Sequence, residues 1–415
     1  MKMFLISVLM TGAALADVVT DWNSILRTTI SAETPQAQSR FAAITHLAVF
    51  EAVNAITRDY EPYLRTVNAA PGASPEAAAI AAAYQVLRNY FPDRMNALDT
   101  DLARSLQTIP DSTAKTAGIA VGQAAATAMI AQRANDGSGT PIPYTPFMGI
   151  GFWQPTPPAF AAATFLHWGR MTPFGIARAD QFRPRRPPAL TSNRYRRDYN
   201  EVKDIGNALS NINIRPQDRI NVVRYVAMTS PTQIWNSVAV QLSDAERLSL
   251  AENARLFALL NMAIADAAIA VFEAKYVYNL WRPVTAIRAG DIDGNPGTEP
   301  DPAFNTFIAT PPYPAYPSGA GGLGNAGRSL LESIFGRGRH PVTLSNPALQ
   351  GVTFQYTNLR HITDDLADAR IYGGIHFRFD QEASEVLGER VAAYVLRNNL
   401  RCARPGACDD GGDED

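Results

Sequence analysis

The sequence predicts an all-α protein built of helical bundles. Along most of the chain apolar residues recur at intervals of three and four, which is the period of an amphipathic helix. The chain is also rich in alanine, a strong helix former, and no segment shows a convincing strand-type alternation. Its 415 residues suffice for one large domain or two ordinary ones, and its net charge of −2 gives no reason to expect nucleic acid as a partner.

The N-terminus has the composition of a secretory signal peptide. Lys2 precedes an apolar run over residues 4–10, and Ala14-Leu15-Ala16 supplies the small residues of a cleavage site. We therefore expect residues 1–16 to be a signal peptide and the protein to be secreted or periplasmic. The alternative, an N-terminal membrane anchor, needs a longer apolar run. No other stretch approaches the ~18 consecutive apolar residues of a membrane helix, so we expect no membrane span.

Residues 17–240 are predicted to form an N-terminal helical region. Helical periodicity covers residues 17–64, 75–91, 112–135, 193–209 and 217–228. Between the third and fourth of these, residues 140–158 contain six prolines and are predicted to be loop. The region holds two histidines, His46 and His167, and we interpret both as structural residues.

Residues 241–400 are predicted to form a second helical domain that carries the functional site. Ser243 and Asp244 are expected to cap the longest helix, over residues 245–281. Its apolar residues occupy more than one face, as expected of a helix buried in a bundle. The remaining residues, 401–415, form an acidic tail that we expect to be disordered. In an oxidising compartment its two cysteines, Cys402 and Cys408, are able to close a small disulfide loop.

Lys275 and Arg282 place two cations at the end of the predicted long helix. They are seven residues apart, which is two helical turns, so their side chains are expected on one face. Pro283 disfavours helix at Arg282 and frees the guanidinium to turn. Burying two unpaired cations is costly, and a bound anion would compensate them.

The segment that contains Arg370, His376 and Asp380 supplies a third cation and an imidazole. Arg370 and His376 would point in different directions on one helix, but Gly373-Gly374 allows the chain to bend between them. On a helix that starts near His376, Asp380 shares its face, so the carboxylate can hold one ring nitrogen while the other points at a ligand. We interpret this segment as one wall of an oxyanion site.

A glycine-rich turn at Ser318-Gly319 precedes a further apolar helical run. A turn that opens a helix offers free backbone N–H groups, and serine adds a hydroxyl, so this turn is suited to an anion. Glycine-rich turns before helices are common, so the turn alone is weak evidence for an anion site. The cations described above make that interpretation stronger.

Together, these blocks resemble the signature of the vanadium-dependent haloperoxidases and type 2 phosphatidic acid phosphatases. The order is Lys275, six residues, Arg282-Pro283; then Pro-Ser-Gly; then Arg370, five residues, His376, three residues, Asp380. The blocks cover roughly residues 275–380. The length and the predicted secreted, helical frame are more similar to the bacterial haloperoxidase branch than to the membrane-bound lipid phosphatases, and a haloperoxidase-like fold is expected.

The resemblance implies a role for each matched residue. Lys275, Arg282 and Arg370 would neutralise the oxygens of vanadate or phosphate, for which arginine's planar fork is suited. Ser318 and the Gly319 N–H would donate to the same oxygens. His376 would be the protein ligand of vanadium or the nucleophile that takes up a phosphoryl group, and Asp380 would orient it. Vanadate is the implied cofactor, with halide and hydrogen peroxide, or a phosphomonoester, as substrates.

The sequence departs from the family pattern at Ala320. A histidine usually follows Pro-Ser-Gly and acts as an acid–base group, a role whose loss typically costs ~10²–10⁴-fold in rate. Three explanations are open: another group, such as His361 or Asp364, replaces the histidine, the chemistry is less demanding, or the site binds an oxyanion without turnover. A second departure, Ala369 in place of the usual serine, removes only a minor support.

The leading functional prediction is a secreted vanadium-dependent haloperoxidase-like enzyme, impaired by Ala320, that oxidises halide with hydrogen peroxide. The first alternative is an acid phosphatase that hydrolyses phosphomonoesters through a phosphohistidine at His376. The second is a non-catalytic oxyanion-binding protein.

Overall fold

The computed structural model describes residues 17–404 and confirms the all-α prediction. Thirteen α-helices and one two-stranded antiparallel hairpin make up the regular structure of this range, together with short 3-10 turns. The predicted signal peptide, most of the acidic tail and Cys408 lie outside the described residues. Cys402, which lies inside them, is disulfide-bonded.

Eight helices precede the long central helix, and most of them begin at a side-chain cap. Ser112, for example, accepts a hydrogen bond from the Lys115 N–H at the start of the helix predicted there. The eight helices are α1 (Val18–Thr29), α2 (Pro35–Thr57), α3 (Pro75–Tyr90), α4 (Met95–Gln107), α5 (Thr113–Arg133), α6 (Asn193–Ile205), α7 (Gln217–Met228) and α8 (Pro231–Glu246).

The long central helix, α9 (Leu250–Tyr278), begins later than the sequence indicated. Ser243 and Asp244 lie inside α8, and the cap of α9 is Ser249, which forms a reciprocal capping box with Glu252. The prediction merged the end of α8 with α9 because the apolar periodicity continues across the short break. The far end was also placed too late, since α9 stops at Asn279 in a left-handed conformation.

Four helices and the hairpin follow α9. They are α10 (Pro283–Arg288), α11 (Gly319–Phe335), β1 (Val342–Ser345), β2 (Thr353–Tyr356), α12 (Leu359–Tyr372) and α13 (Arg378–Asn398). The two strands pair antiparallel, with Val342 opposite Tyr356. The hairpin was not predicted, because each strand has only four residues and β2 is exposed or half-buried throughout.

Helix α9 is the centre of the hydrophobic core and contacts α2, α11 and α13. Close approach around α11 depends on glycine: a Cβ at Gly327 would lie 2.5 Å from the indole of Trp235 on α8. Within the described residues α9 is the one helix long and apolar enough to cross a membrane, but 94% of its apolar window is buried inside the protein. Its apolar surface is therefore used in packing.

Candidate oxyanion site

Lys275 and Arg282 both contact one short loop. They do not meet on a shared helical face, which was the reason inferred from the sequence. Since α9 ends at Tyr278 and Arg282 is extended (φ −86°, ψ 155°), the two side chains do not share a helical face. They meet because the loop 313–315 offers backbone carbonyls to both. The Lys275 ammonium donates to Pro314 O and Ala315 O, each at 2.8 Å, and Arg282 Nε donates to Tyr313 O at 2.8 Å.

Both cations are fully buried, and within residues 17–404 neither faces a carboxylate at salt-bridge distance. The ring of Tyr313 lies beside them, with its centroid 5.2 Å from Lys275 Nζ and 5.1 Å from Arg282 Cζ. Burial, together with the charge of Arg282, lowers the pKa of Lys275 well below its usual 10.5. The carbonyl and aromatic contacts hold the cations in place without neutralising them.

The break at Gly373 and Gly374 brings His376 to the same point. Helix α12 ends at Tyr372, and Gly374 adopts φ +78°, a left-handed conformation that favours glycine. A Cβ at this glycine would also lie 2.4 Å from the carbonyl oxygen of Gly206. His376 therefore precedes α13 instead of lying on a helix, and its Nε2 is 3.1 Å from Arg282 Nη1.

Asp380 holds the other side of the imidazole. Its Oδ2 accepts from His376 Nδ1 at 2.8 Å and from the Phe377 N–H at 3.0 Å. This arrangement assigns the proton to Nδ1 and leaves the Nε2 lone pair facing Arg282. Burial raises the pKa of Asp380 to about 7, although Lys275 acts in the opposite direction.

The same surroundings keep the imidazole of His376 neutral. Burial and the positive charges of Arg282, Lys275 and Arg370 lower the pKa of His376 well below its usual 6.5. Burial is the largest of these causes. A neutral imidazole whose Nε2 carries no proton can act as a metal ligand or as a nucleophile.

Unused hydrogen-bond donors surround this nitrogen. Arg282 Nη2 and both Nε and Nη2 of Arg370 are enclosed, yet none has a partner within the described residues. Burial lowers the pKa of each guanidinium to about 10, so both remain charged at neutral pH. Enclosed, unpaired and charged donors are costly unless a guest accepts from them.

Ser318 is the N-cap of α11, and its hydroxyl accepts from the Gly321 N–H at 3.2 Å. The Ser318 N–H donates to the Asp380 carbonyl at 3.1 Å, which joins the start of α11 to α13. Gly319 lies on the cavity wall, and the space where its Cβ would stand is open. The turn thus reaches the site, and within residues 17–404 the Ser318 hydroxyl donates no hydrogen bond.

A cavity of about 420 Å³ opens in front of Arg370 and His376. One wall comes from the C-terminal elements and includes Gly319, Ala320 and Tyr313. Another part of the wall comes from the α1–α2 turn, the start of α2, the end of α7 and the start of α8, and no sequence motif had pointed to it. It contains Ser31, Glu33, Pro35, Gln36, Gln38, Val226, Ala227, Met228, Ser230 and Pro231.

Ala320 lines this cavity, but neither proposed replacement for the missing histidine does. His361 and Asp364 are exposed, and Asp364 instead lines a separate groove next to Asp368. The two histidines of the N-terminal region are also elsewhere: buried His46 stacks on Phe257, and half-buried His167 packs against Phe165. The structure therefore gives no support to the explanation that His361 or Asp364 replaces the missing histidine.

Comparison with known proteins shows which fold the chain shares. Residues 255–404, which contain every block of the site, match the family model of the VCPO second helical-bundle domain. Over 93% of its length, the chain superposes on 96% of a bacterial vanadium-dependent iodoperoxidase, with a TM-score of 0.77 and 23% identity. The chain has the vanadium haloperoxidase fold. The resemblance inferred from the motifs is thereby confirmed.

Two further vanadium haloperoxidases extend the comparison. A bacterial vanadium-dependent chloroperoxidase in its apo form superposes over 88% of this chain and 95% of its own, with a TM-score of 0.71 and 16% identity. The vanadium chloroperoxidase of Curvularia inaequalis is 37% identical over 108 residues. That match spans 23% of this chain and 17% of the fungal protein, so the sequence similarity is local.

The residues of this chain fit vanadate as a guest. The unpaired donors of Arg282 and Arg370 suit the oxygens of an oxyanion. The unprotonated Nε2 of His376, which accepts from Arg282 Nη1, suits coordination to the central atom. Three cations and one imidazole around a single point form a donor set for an anionic guest, because each cation can offset part of its negative charge.

Proposed function

We propose that this protein is a vanadium-dependent haloperoxidase that oxidises halide with hydrogen peroxide, with vanadate held by His376. The observation that carries the proposal is the set of enclosed, unpaired guanidinium donors around a neutral imidazole nitrogen. Secretion belongs to the same proposal and rests on the signal-like composition of residues 1–16.

When bound, vanadate would supply a Lewis-acid centre that activates peroxide without a change of metal oxidation state. The chain's own residues have three tasks. Arg282, Arg370 and Lys275 stabilise negative charge on the oxyanion, His376 Nε2 binds it, and Asp380 fixes the imidazole tautomer. Ser318 and Gly319 would donate from the start of α11.

The test is bromide or iodide oxidation by hydrogen peroxide, measured on metal-free protein with and without added vanadate. We expect activity only after vanadate is added, with vanadium bound in a 1:1 ratio by elemental analysis. Activity that does not depend on vanadate, or protein that fails to retain it, would contradict the proposal.

Phosphomonoester hydrolysis is the second candidate, because the donors that suit vanadate also suit phosphate. The same preparations distinguish the two functions. Hydrolysis of a phosphomonoester that vanadate inhibits, without halide oxidation, would assign a phosphatase with a phosphohistidine at His376. Anion binding with neither activity would assign a non-catalytic oxyanion-binding protein.

Anion binding is expected to stabilise the protein strongly, because a guest relieves the repulsion among buried cations. At 100 times the Kd, binding to the native state alone contributes about 2.7 kcal/mol to the free energy of unfolding. Thermal unfolding with increasing vanadate or phosphate should show a rising Tm, whereas chloride at the same ionic strength should not reproduce the rise. Equal shifts with all three salts would contradict a specific oxyanion site.

Replacing Asp380 with alanine is expected to weaken vanadate binding about 10–100-fold, since the imidazole loses the group that orients it. Asp380→Asn should lose less, because an amide oxygen can still accept from His376 Nδ1. Equilibrium binding of vanadate to both variants measures the difference. Equal affinity in Asp380→Ala and the unaltered protein would contradict the orienting role.

A further inference from the structure

One carboxylate lies in the wall of the oxyanion cavity. Glu33, in the turn between α1 and α2, lines the same space as Arg370, His376 and Ala320. It is the one aspartate or glutamate among the described residues that line this cavity. Because it lies far along the chain from the motif that carries the cations, no motif could have pointed to it.

The backbone of Glu33 is fixed while its carboxylate is left free. Its N–H donates to Ile30 O at 3.0 Å, and its carbonyl accepts from Gln38 Nε2 at 2.8 Å. Gln38 is itself buried and receives a hydrogen bond from the Ser230 hydroxyl, which ties the turn to the start of α8. Within the described residues, no hydrogen bond or ion pair engages the Glu33 carboxylate, and the residue is half-buried.

The other walls of the cavity offer little competing acid–base chemistry. The titratable side chains that line it besides Glu33 are Arg370, His376 and Tyr313. The lining residues from 226–231, 308–311 and the start of α11 are apolar or glycine except for Ser230, whose hydroxyl is not an acid–base group at neutral pH. His376 Nε2 is reserved for the guest and its Nδ1 is held by Asp380, so neither nitrogen is free to exchange protons.

We propose that Glu33 supplies and recovers the proton of the reaction, the task that Ala320 cannot perform. This inference rests on the proposed function. Halide oxidation by peroxide consumes one proton per turnover: H₂O₂ + X⁻ + Glu33–COOH → HOX + H₂O + Glu33–COO⁻. Peroxide is reduced, the halide is oxidised, the O–O bond breaks and an O–X bond forms. The carboxylate then takes a proton from solvent, to which it is partly open.

The transfer runs through water in the cavity, whose 420 Å³ is room for several molecules beside an oxyanion. A half-buried glutamate in the cavity wall suits this route because the residue is open in part to solvent and also faces the cavity. Positioned acid–base groups typically contribute about 10²–10⁴-fold in rate. For an indirect route we expect a contribution of ~10²-fold, the lower end of that range.

The first test compares turnover in vanadate-loaded protein. Glu33→Gln should lower kcat for bromide oxidation ~10²-fold and remove one ionisation from its pH profile, while Glu33→Asp retains that ionisation. Glu246→Gln, an exposed carboxylate outside the cavity, should match the unaltered protein in rate and profile. Adding Ala320→His to Glu33→Gln should restore much of the loss. An unchanged rate and pH profile in Glu33→Gln would overturn the inference.

The second test needs no turnover and uses inorganic phosphate as the probe. A bound anion disfavours an ionised carboxylate beside it, so binding should draw a fraction of a proton onto Glu33. Titration calorimetry in two buffers of different ionisation enthalpy measures this proton uptake. We expect more uptake in the unaltered protein than in Glu33→Gln, and equal uptake would overturn the inference. The difference is expected even if halide oxidation is absent, which separates a failure of this inference from a failure of the proposed function.

Discussion

Replacing His376 with alanine is expected to reduce vanadate-dependent halide oxidation by a factor on the order of 10³ or more, because the variant lacks the nitrogen that would bind the central atom. The remaining cations should still attract an oxyanion electrostatically, so weak phosphate binding is expected to persist. Steady-state rates and equilibrium binding with vanadate and phosphate, measured side by side, test both statements.

His361→Ala is the matched control, since His361 is exposed and lies outside the cavity. Its activity should equal that of the unaltered protein. The thermal unfolding of His376→Ala without anion should remain cooperative, which would separate lost chemistry from lost folding. Full activity in a folded His376→Ala protein would rule out the proposed ligand.

Replacing Arg370 with methionine is expected to have two opposite effects. Its enclosed Nε and Nη2 groups have no partner in the described residues, so two charge-assisted hydrogen bonds to the guest would be lost. At about 1.5–3 kcal/mol each, their loss weakens oxyanion binding ~10²–10⁴-fold. The anion-free protein should instead gain about 1–3 kcal/mol in the free energy of unfolding, because an unsatisfied buried charge is removed.

Arg360→Met, a change on the exposed side of the same helix, is the control. Arg360 contacts Glu385 at 2.9 Å at the surface, where such a pair contributes little. Chemical denaturation without anion and vanadate titration of both variants measure the two effects. If Arg370→Met bound vanadate as tightly as the unaltered protein, or were less stable than that protein in the absence of anion, Arg370 would not be an uncompensated cation that a bound anion neutralises.

The local signals in the sequence predicted most helices well. Ser112, Ser318 and the Gly373-Gly374 break mark helix ends whose chemistry acts within a few residues, and all three fall where they were expected. The start of α9 was missed because apolar periodicity runs through a short break between two helices. The β1–β2 hairpin escaped because four-residue strands leave too short an alternation.

The site residues were likewise predictable where the signal was local and not where it depended on distant parts of the chain. Lys275, Arg282 and Arg370 were recognisable because they fall in one characteristic pattern of spacings, and the structure brings them together. Their geometry was not predictable: the carbonyls of the loop 313–315, and not a shared helical face, bring the first two side chains together. The part of the wall from residues 31–38 and 226–231 was not predictable because it is distant in the chain from the motif.

The turn between α1 and α2 supplies part of the cavity wall and is separate in sequence from the residues of the motif. Residues 31–38 line the cavity but supply none of its cations, so substitutions there are expected to alter access, polarity and acidity while the cations stay in place. Directed evolution confined to that turn should therefore shift pH preference and substrate choice while metal loading stays intact. A fragment limited to residues 255–404 would keep Lys275, Arg282, Arg370 and His376 but would lose the part of the cavity wall that residues 31–38 supply.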